Sequence, residues 1–242
     1  MEPFEIQFTV EAEHTDALGQ AKPSALMYYC QEAAGGHCKQ LGLDWAALQT
    51  RGLFWALIRT QVQVCRLPRL GERLTVQTWP MPTTRSAFPR AVLATDEQGN
   101  CLFRATSLWV LVDTQTRRML LPGRSGVTLE GITLGGELPM PESLPPIAGQ
   151  VRLCRRVGPE DLDRNRHMNN TRYMDWLFDL FPPQKSQIKG FAVCYLAEAL
   201  EGQELAVSSQ YSPEGKLLFE ITRHRENTPE KPERIFAAAV DF

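Results

Sequence analysis

The sequence predicts an α+β protein in which a helix followed by an antiparallel run of strands occurs twice. Three observations carry this: a faint internal repeat, segments of apolar–polar alternation, and turn signals joining consecutive segments. Each half has a polar approach to an apolar helix, Pro23-Ser-Ala-Leu-Met-Tyr-Tyr-Cys30 in the first and Asn169-Asn-Thr-Arg-Tyr-Met-Asp-Trp176 in the second. Each then opens a strand with Gly-x-x-Leu-x-Val, at Gly71 and at Gly202. Leu-Phe-x-x-Thr recurs later, at 102–106 and 218–222.

The first helix is expected over 23–41, with Leu26, Cys30, Ala33, His37 and Leu41 on one apolar stripe. Gly35-Gly36 allows a close backbone approach at some cost in helix propensity. Asp44 caps a short second helix over 45–49. Leu74, Val76 and Thr78 alternate with Arg73, Thr75 and Gln77, and Leu217, Phe219 and Ile221 with Lys216, Glu220 and Thr222, the period of half-buried strands. Asp96-Glu-Gln-Gly-Asn100 and Ser212-Pro-Glu-Gly215 are turns that make antiparallel hairpins. The segment 101–112 is apolar on both faces, as a central strand would be. The Gly- and Pro-rich stretch 123–150 has no period and reads as a linker, dividing the chain into 1–125, a linker 126–148, and 149–242. A sheet wrapped around a helix, twice in one chain, is a tandem hot-dog fold.

Composition excludes several classes. With 242 residues, 43% hydrophobic and 22% charged, the chain can bury a sizeable core. A formal net charge of −2 supplies no field for nucleic acid, and no apolar run is long enough to span a membrane. The acidic N-terminus, Met1-Glu-Pro-Phe-Glu, lacks the basic and apolar regions of a signal peptide, so a cytoplasmic location is expected. Six cysteines without a CxxC pair read as buried free thiols rather than a disulfide frame or zinc site.

Chemistry concentrates in Asp161-Leu-Asp-Arg-Asn-Arg-His-Met-Asn-Asn170, at the mouth of the second helix over 171–181. Asp161, Asp163 and Asn165 occupy the first, third and fifth places of a calcium loop, but Arg166 and Arg172 stand where that loop needs Gly and Glu, so no metal is expected. A purely structural role, with Asn169 or Asn170 as helix cap, leaves the other polar residues without a reason. In an extended segment Asp163, Asn165 and His167 point to one side, where a carboxylate, an amide and an imidazole can orient water and take its proton. No Gly-x-Ser-x-Gly elbow and no Gly-rich phosphate loop is present.

This motif, with the following x-x-Tyr-Met-x-Trp, resembles that of the acyl-ACP thioesterases, the plant-type enzymes and their bacterial relatives built from two hot-dog repeats. The opening helix and Gly42-Leu-Asp-Trp…Gly52-Leu-Phe-Trp-Ala-Leu57 are similar to the family as well, so the resemblance spans nearly the whole chain. It implies hydrolysis of fatty acyl-ACP to free fatty acid and holo-ACP in fatty acid biosynthesis, without metal or organic cofactor. Asp163, Asn165 and His167 match its catalytic positions. Its further acid, in Tyr-x-x-Glu-Cys of the strand after the second helix, matches Glu198 in Tyr195-Leu-Ala-Glu198-Ala199. The neighbouring cysteine is replaced by Ala199, which favours a carboxylate and water over a thiol nucleophile, and Cys194 is too displaced to substitute. Backbone N–H groups near 168–170 are candidate oxyanion donors.

The implied partner is an acidic acyl carrier protein bearing an acylated phosphopantetheine. Arg155, Arg156, Arg164, Arg166 and Arg172 are then docking candidates. Arg164, Arg166 and Arg172, with Asn169 and Asn170, complete the expected substrate-binding set. Aligning the repeats puts Ala17, Gly19 and Ala21 opposite Asp163, Asn165 and His167, and Leu67 opposite Glu198, so one site is expected, in the second half, with the first half shaping an acyl cavity. Phe54, Trp55, Met27, Tyr28 and Trp79 are candidate lining residues. The alternatives are an acyl-CoA thioesterase, a hot-dog hydratase or dehydratase, and a non-catalytic acyl-binding protein. Chain-length preference is left open, as is the choice between monomer and homodimer.

Overall fold

The structure, a computed structural model, describes residues 2–180, 188–225 and 228–242. Met1 and Phe181, the last residue of the expected second helix, lie outside the described residues. The first half runs β1 (Phe4–Thr9), α1 (Pro23–Gln40), α2 (Trp45–Gln49), β2 (Leu53–Val64), β3 (Arg73–Pro80), β4 (Phe88–Asp96), β5 (Cys101–Asp113) and β6 (Met119–Leu120). The second runs β7 (Gln150–Arg156), α3 (Asn170–Leu180), β8 (Gly190–Tyr195), β9 (Glu204–Tyr211), β10 (Leu217–Arg225) and β11 (Thr228–Asp241).

The strands form one antiparallel sheet in the order β1-β3-β4-β5-β2-β8-β11-β10-β9-β7, with β6 paired to β5. Read outward from the β2–β8 junction, the two halves carry the same order, so the chain is two copies of one motif joined edge to edge. The junction pairs Arg59 with Cys194 through Gln63 with Gly190. Pairing two edges internally removes the open N–H and C=O rows that each copy alone would present.

Local chemistry accounts for the elements. Pro23 starts α1, where its missing N–H is harmless, and Leu26, Cys30, Ala33 and His37 of the expected stripe are buried. Asp44 caps α2 by accepting from the Ala47 N–H at 3.0 Å. Asp96 Oδ1 accepts from the N–H groups of Gln98 (3.0 Å) and Asn100 (2.8 Å), closing the β4–β5 hairpin. Gly36 lets the ring of Phe4 lie against α1, since a Cβ there would meet Phe4 Cζ at 2.7 Å. Apolar side chains of α1 and α3 share one core with the inner faces of both sheet halves.

The expected linker crosses the opposite face as an irregular strap. Thr106 Oγ1 donates to Leu138 O (2.9 Å), Cys194 Sγ to Glu142 O (3.5 Å), and Arg234 Nη2 to Leu144 O (3.1 Å). Its carbonyls find side-chain donors on the sheet, which is how a segment without regular hydrogen bonds stays ordered.

Two sequence expectations are corrected. Leu-Phe-x-x-Thr falls on β5 and on β10, and β10 is the counterpart of β4, so this third repeat compares non-equivalent strands; buried strands of similar alternation suffice to produce it. The cysteines are not uniformly buried: Cys30 and Cys194 are, but Cys65 and Cys154 are exposed and Cys38 and Cys101 half-buried. Among the described residues, no helix is long and apolar enough to cross a membrane.

Candidate active site

The polar motif forms the loop that leads into α3. Asp161 is fully buried and accepts from the Gly158 N–H (3.1 Å), Arg172 Nε (3.0 Å) and Trp176 Nε1 (3.2 Å), clipping the loop to the helix. Asp163 Oδ1 accepts from the backbone N–H groups of Asn165 (2.8 Å) and His167 (3.1 Å), while its own N–H donates to His167 O (2.8 Å). These bonds close 163–167 into a tight turn with Arg166 at φ 62. The segment is therefore not extended as expected, because the carboxylate captures N–H groups that a strand would have sent to a neighbour.

The first half contains the same turn. Asp16 Oδ1 accepts from the N–H groups of Leu18 (2.8 Å) and Gln20 (3.0 Å), and the Asp16 N–H donates to Gln20 O (2.8 Å). Gly19, at φ 69, stands where Arg166 does. Asp16, Leu18 and Gln20 thus occupy the places of Asp163, Asn165 and His167, not Ala17, Gly19 and Ala21 as the sequence alignment had it. The slip is one residue: Pro23 and Asn170, not Asn169, are the first residues of α1 and α3. Leu67 does stand opposite Glu198, since Ala21 N–H donates to Pro68 O and Met168 N–H to Ala199 O in equivalent fashion. The first half keeps the turn-building aspartate, but Leu18, Gln20 and Leu67 stand where the second half has Asn165, His167 and Glu198.

Glu198 lies just past the end of β8, in the following loop rather than in the strand. Its Oε1 is 3.6 Å from His167 Nδ1. Between them reaches Arg117, whose Nη2 is 2.5 Å from Glu198 Oε1 and 2.8 Å from His167 Nε2. Asn165 is oriented from both ends: its Oδ1 accepts from Trp45 Nε1 (2.9 Å) and its Nδ2 donates to Asp163 Oδ2 (3.3 Å). Asp163, Asn165, His167 and Glu198 are thereby brought together, with Asp163 on the loop side of the group.

Beside them opens a cavity of about 570 Å³ between α1 and the inner face of β2, β4 and β5. Asn165 and Trp45 line it, as do the aromatic rings of Phe54, Trp55, Phe88 and Trp109. Met27 and Trp79, expected as lining, are core residues instead, and Tyr28 is half-buried against Phe8 and His14. In the cavity wall the buried Arg90 has Nη1 3.1 Å from His37 Nδ1. Burial and then Arg90 pull the His37 imidazole down to about 4, so it is neutral near pH 7.

The model for the acyl-ACP thioesterase N-terminal domain matches residues 2–121, and that for the C-terminal domain residues 151–237. The chain belongs to the acyl-ACP thioesterase family. An acyl-ACP thioesterase structure from Bacteroides thetaiotaomicron superposes with a TM-score of 0.86 at 26% identity, covering 98% of this chain and 96% of that one. The 12:0-ACP thioesterase of Umbellularia californica shares the fold, with a TM-score of 0.77 at 23% identity over 99% of this chain and 96% of its own. Among curated relatives, a chloroplastic palmitoyl-acyl carrier protein thioesterase of Gossypium hirsutum is 28% identical over 194 residues, 74% of this chain. The chain spans about half the length of the curated relatives it matches, 47% of that one.

In this family member the remaining expected site residues divide. Asn169 caps α3, its Oδ1 accepting from the Thr171 N–H (3.0 Å), and Asn170 Nδ2 donates to Gln31 Oε1 on α1 (2.9 Å). Arg172 turns inward to Asp161 and Asp175. Arg155 pairs with Asp179, Arg156 with Glu204 and Arg166 with Glu201. Arg164 lies over the Trp45 ring at 5.8 Å and lines the cavity. Of the proposed oxyanion donors, the N–H groups of Met168 and Asn169 are taken by Ala199 O and Asp161 O. The Asn170 N–H, first in α3, has no partner among the described residues. Arg117 and Trp45 went unrecognised in the sequence, where nothing marks an arginine in a hairpin or a tryptophan opening a short helix as part of a distant site.

Proposed function

We propose that the protein hydrolyses the thioester of a fatty acyl-ACP, releasing free fatty acid and holo-ACP. The observation that carries this is the approach of Glu198 to His167 beside Asn165, which itself lines a cavity that also carries Trp45, Phe54, Trp55, Phe88 and Trp109. Glu198 takes a proton from water as the water oxygen bonds to the acyl carbon; the carbon–sulfur bond then breaks and the proton held by Glu198 passes to the departing sulfur, restoring the carboxylate. His167 and Asn165 orient water and carbonyl, and the Asn170 N–H is the candidate oxyanion donor. Asp163 holds the turn rather than the reacting atoms, since Asp16 makes the same bonds where no such site exists. Ala199 offers no thiol, Cys194 is bound under the linker strap, and burial pushes the Cys30 thiol up to about 12; Cys38 does line the cavity, but burial raises its thiol too, which disfavours a thiolate nucleophile.

Of the five arginines considered for carrier docking, Arg164 is the one at the cavity mouth without a carboxylate partner among the described residues. Arg164→Glu is expected to raise KM for acyl-ACP several-fold with kcat nearly unchanged. The deciding experiment is thiol release from a panel of acyl-ACPs and matched acyl-CoAs, with His167→Ala and Glu198→Gln beside wild type. Loss of an acid–base group costs about 100- to 10,000-fold. Wild-type release with both variants reduced on that scale supports the reading; folded protein that binds acyl chains without releasing thiol on any of them overturns it.

A further inference from the structure

We propose that Arg117, delivered from the first half of the chain, is a positioning residue of the reaction centre in the second half. The inference deepens the thioesterase reading and rests on it. Arg117 follows β5 in the short hairpin to β6, at φ 56, a conformation unfavourable to a residue with a Cβ. The hairpin enforces it. Asp113 Oδ1 accepts from the N–H groups of Gln115 (3.1 Å) and Thr116 (2.7 Å), holding that carboxyl below its usual range, and the Arg117 N–H donates to Asp113 O (3.0 Å). Strain accepted at a turn and spent on aiming one side chain marks a constrained position. The guanidinium lies over the ring of Phe54, 5.0 Å from its centroid, and Phe54 lines the cavity.

From that seat Nη2 reaches both Glu198 oxygens and His167 Nε2. A guanidinium only donates, so Nε2 must accept, and the ring proton of neutral His167 resides on Nδ1, the nitrogen facing Glu198. The lone pair of His167 is thereby occupied, while the Glu198 carboxylate, 45% exposed on its side chain, keeps acceptor capacity towards solvent. Glu198 is then the base and His167 the orienting group, with Arg117 setting both. Since Phe54 and Arg117 come from one half and Glu198 and His167 from the other, the geometry requires both halves to be docked.

The test uses Arg117→Gly, since glycine is at ease at positive φ and removes the guanidinium without straining the turn, and Arg117→Lys as the conservative variant. For Arg117→Gly, kcat on acyl-ACP should fall about 100-fold with KM within about 3-fold, the size expected when a reacting group is misplaced. Arg117→Lys should recover part of the loss, and added guanidinium salts should rescue Arg117→Gly, which a merely structural role would not allow. Nitrogen-15 NMR of His167 supplies a readout independent of turnover: Nδ1-protonated in wild type, shifted in Arg117→Gly. Retained kcat, or a loss unrelieved by guanidinium with the tautomer unchanged, overturns the inference. Wild type that shows the expected tautomer and its shift, yet cleaves no thioester, sinks the thioesterase reading and leaves the positioning geometry standing.

Discussion

The paired turns at Asp16 and Asp163 form an internal control for the role of the motif aspartate. Each carboxylate accepts two backbone N–H bonds of 2.8–3.1 Å in a partly exposed turn. Bonds of this kind contribute about 1 kcal/mol each, so Asp16→Ala and Asp163→Ala should each lose about 2 kcal/mol. For a chain of this size that lowers Tm by about 4–8 °C. Asn substitutions keep one acceptor oxygen and should lose about half as much. The two turns part company in activity. Asp16→Ala should leave kcat within about 2-fold, whereas Asp163→Ala frees the His167 backbone and should reduce kcat about 100-fold. Asp163→Asn, which still holds the turn, should retain kcat within about 10-fold. Thermal melts and thiol-release kinetics on the four variants decide the matter. If Asp163→Asn were as inactive as Glu198→Gln while melting like wild type, the carboxylate would be acting on the reacting atoms and the turn-building account would be wrong.

Three further outcomes are expected. Trp45→Phe removes the donor that orients Asn165 and should lower kcat up to about 10-fold at near-unchanged Tm; a kcat equal to wild type would show that Asn165 needs no such support. His37, with a pKa near 4 when folded against 6.5 unfolded, resists a proton that the unfolded chain takes up, so the stability it contributes is present above pH 6.5 and lost as pH falls to about 4. Urea unfolding across the window should show a shallower pH slope in His37→Gln than in wild type; equal slopes would refute it. Cys65 Sγ and Cys101 Sγ are 2.7 Å apart, so mild oxidation should remove two titratable thiols from wild type, with a gain of roughly 2–4 kcal/mol in stability, and none from Cys65→Ser.

Much of the frame was legible because it is decided within a few residues. The cap at Asp44, Pro23 at the start of α1, and the hairpin turns at 96–100 and 212–215 are local exchanges between a side chain and its own backbone. Alternation identified β3 and the start of β10, and polar density alone pointed to the loop before α3. Even there the sequence pattern misled over short distances. Three residues on alternate positions satisfy a strand and a tight turn equally well, and only the carboxylate capture by Asp163 distinguishes them. The repeat is visible, but its register is offset by one, because the two helix starts differ in composition and only the turns that precede them are equivalent.

By itself, the sequence determined two similar halves, the local caps and turns, and a single polar cluster that included Asn165 and His167. Tertiary structure decided the rest: that the halves join through β2 and β8, that Glu198 comes within 3.6 Å of His167, and that the cavity opens at Asn165. It also delivered Arg117 and Trp45 to residues 50 to 120 positions away, contacts that no local pattern encodes. The physical reason is range. Backbone capping and side-chain period act over one turn or one strand, whereas a site assembled across two halves exists only once the shared core has packed and brought their loops together.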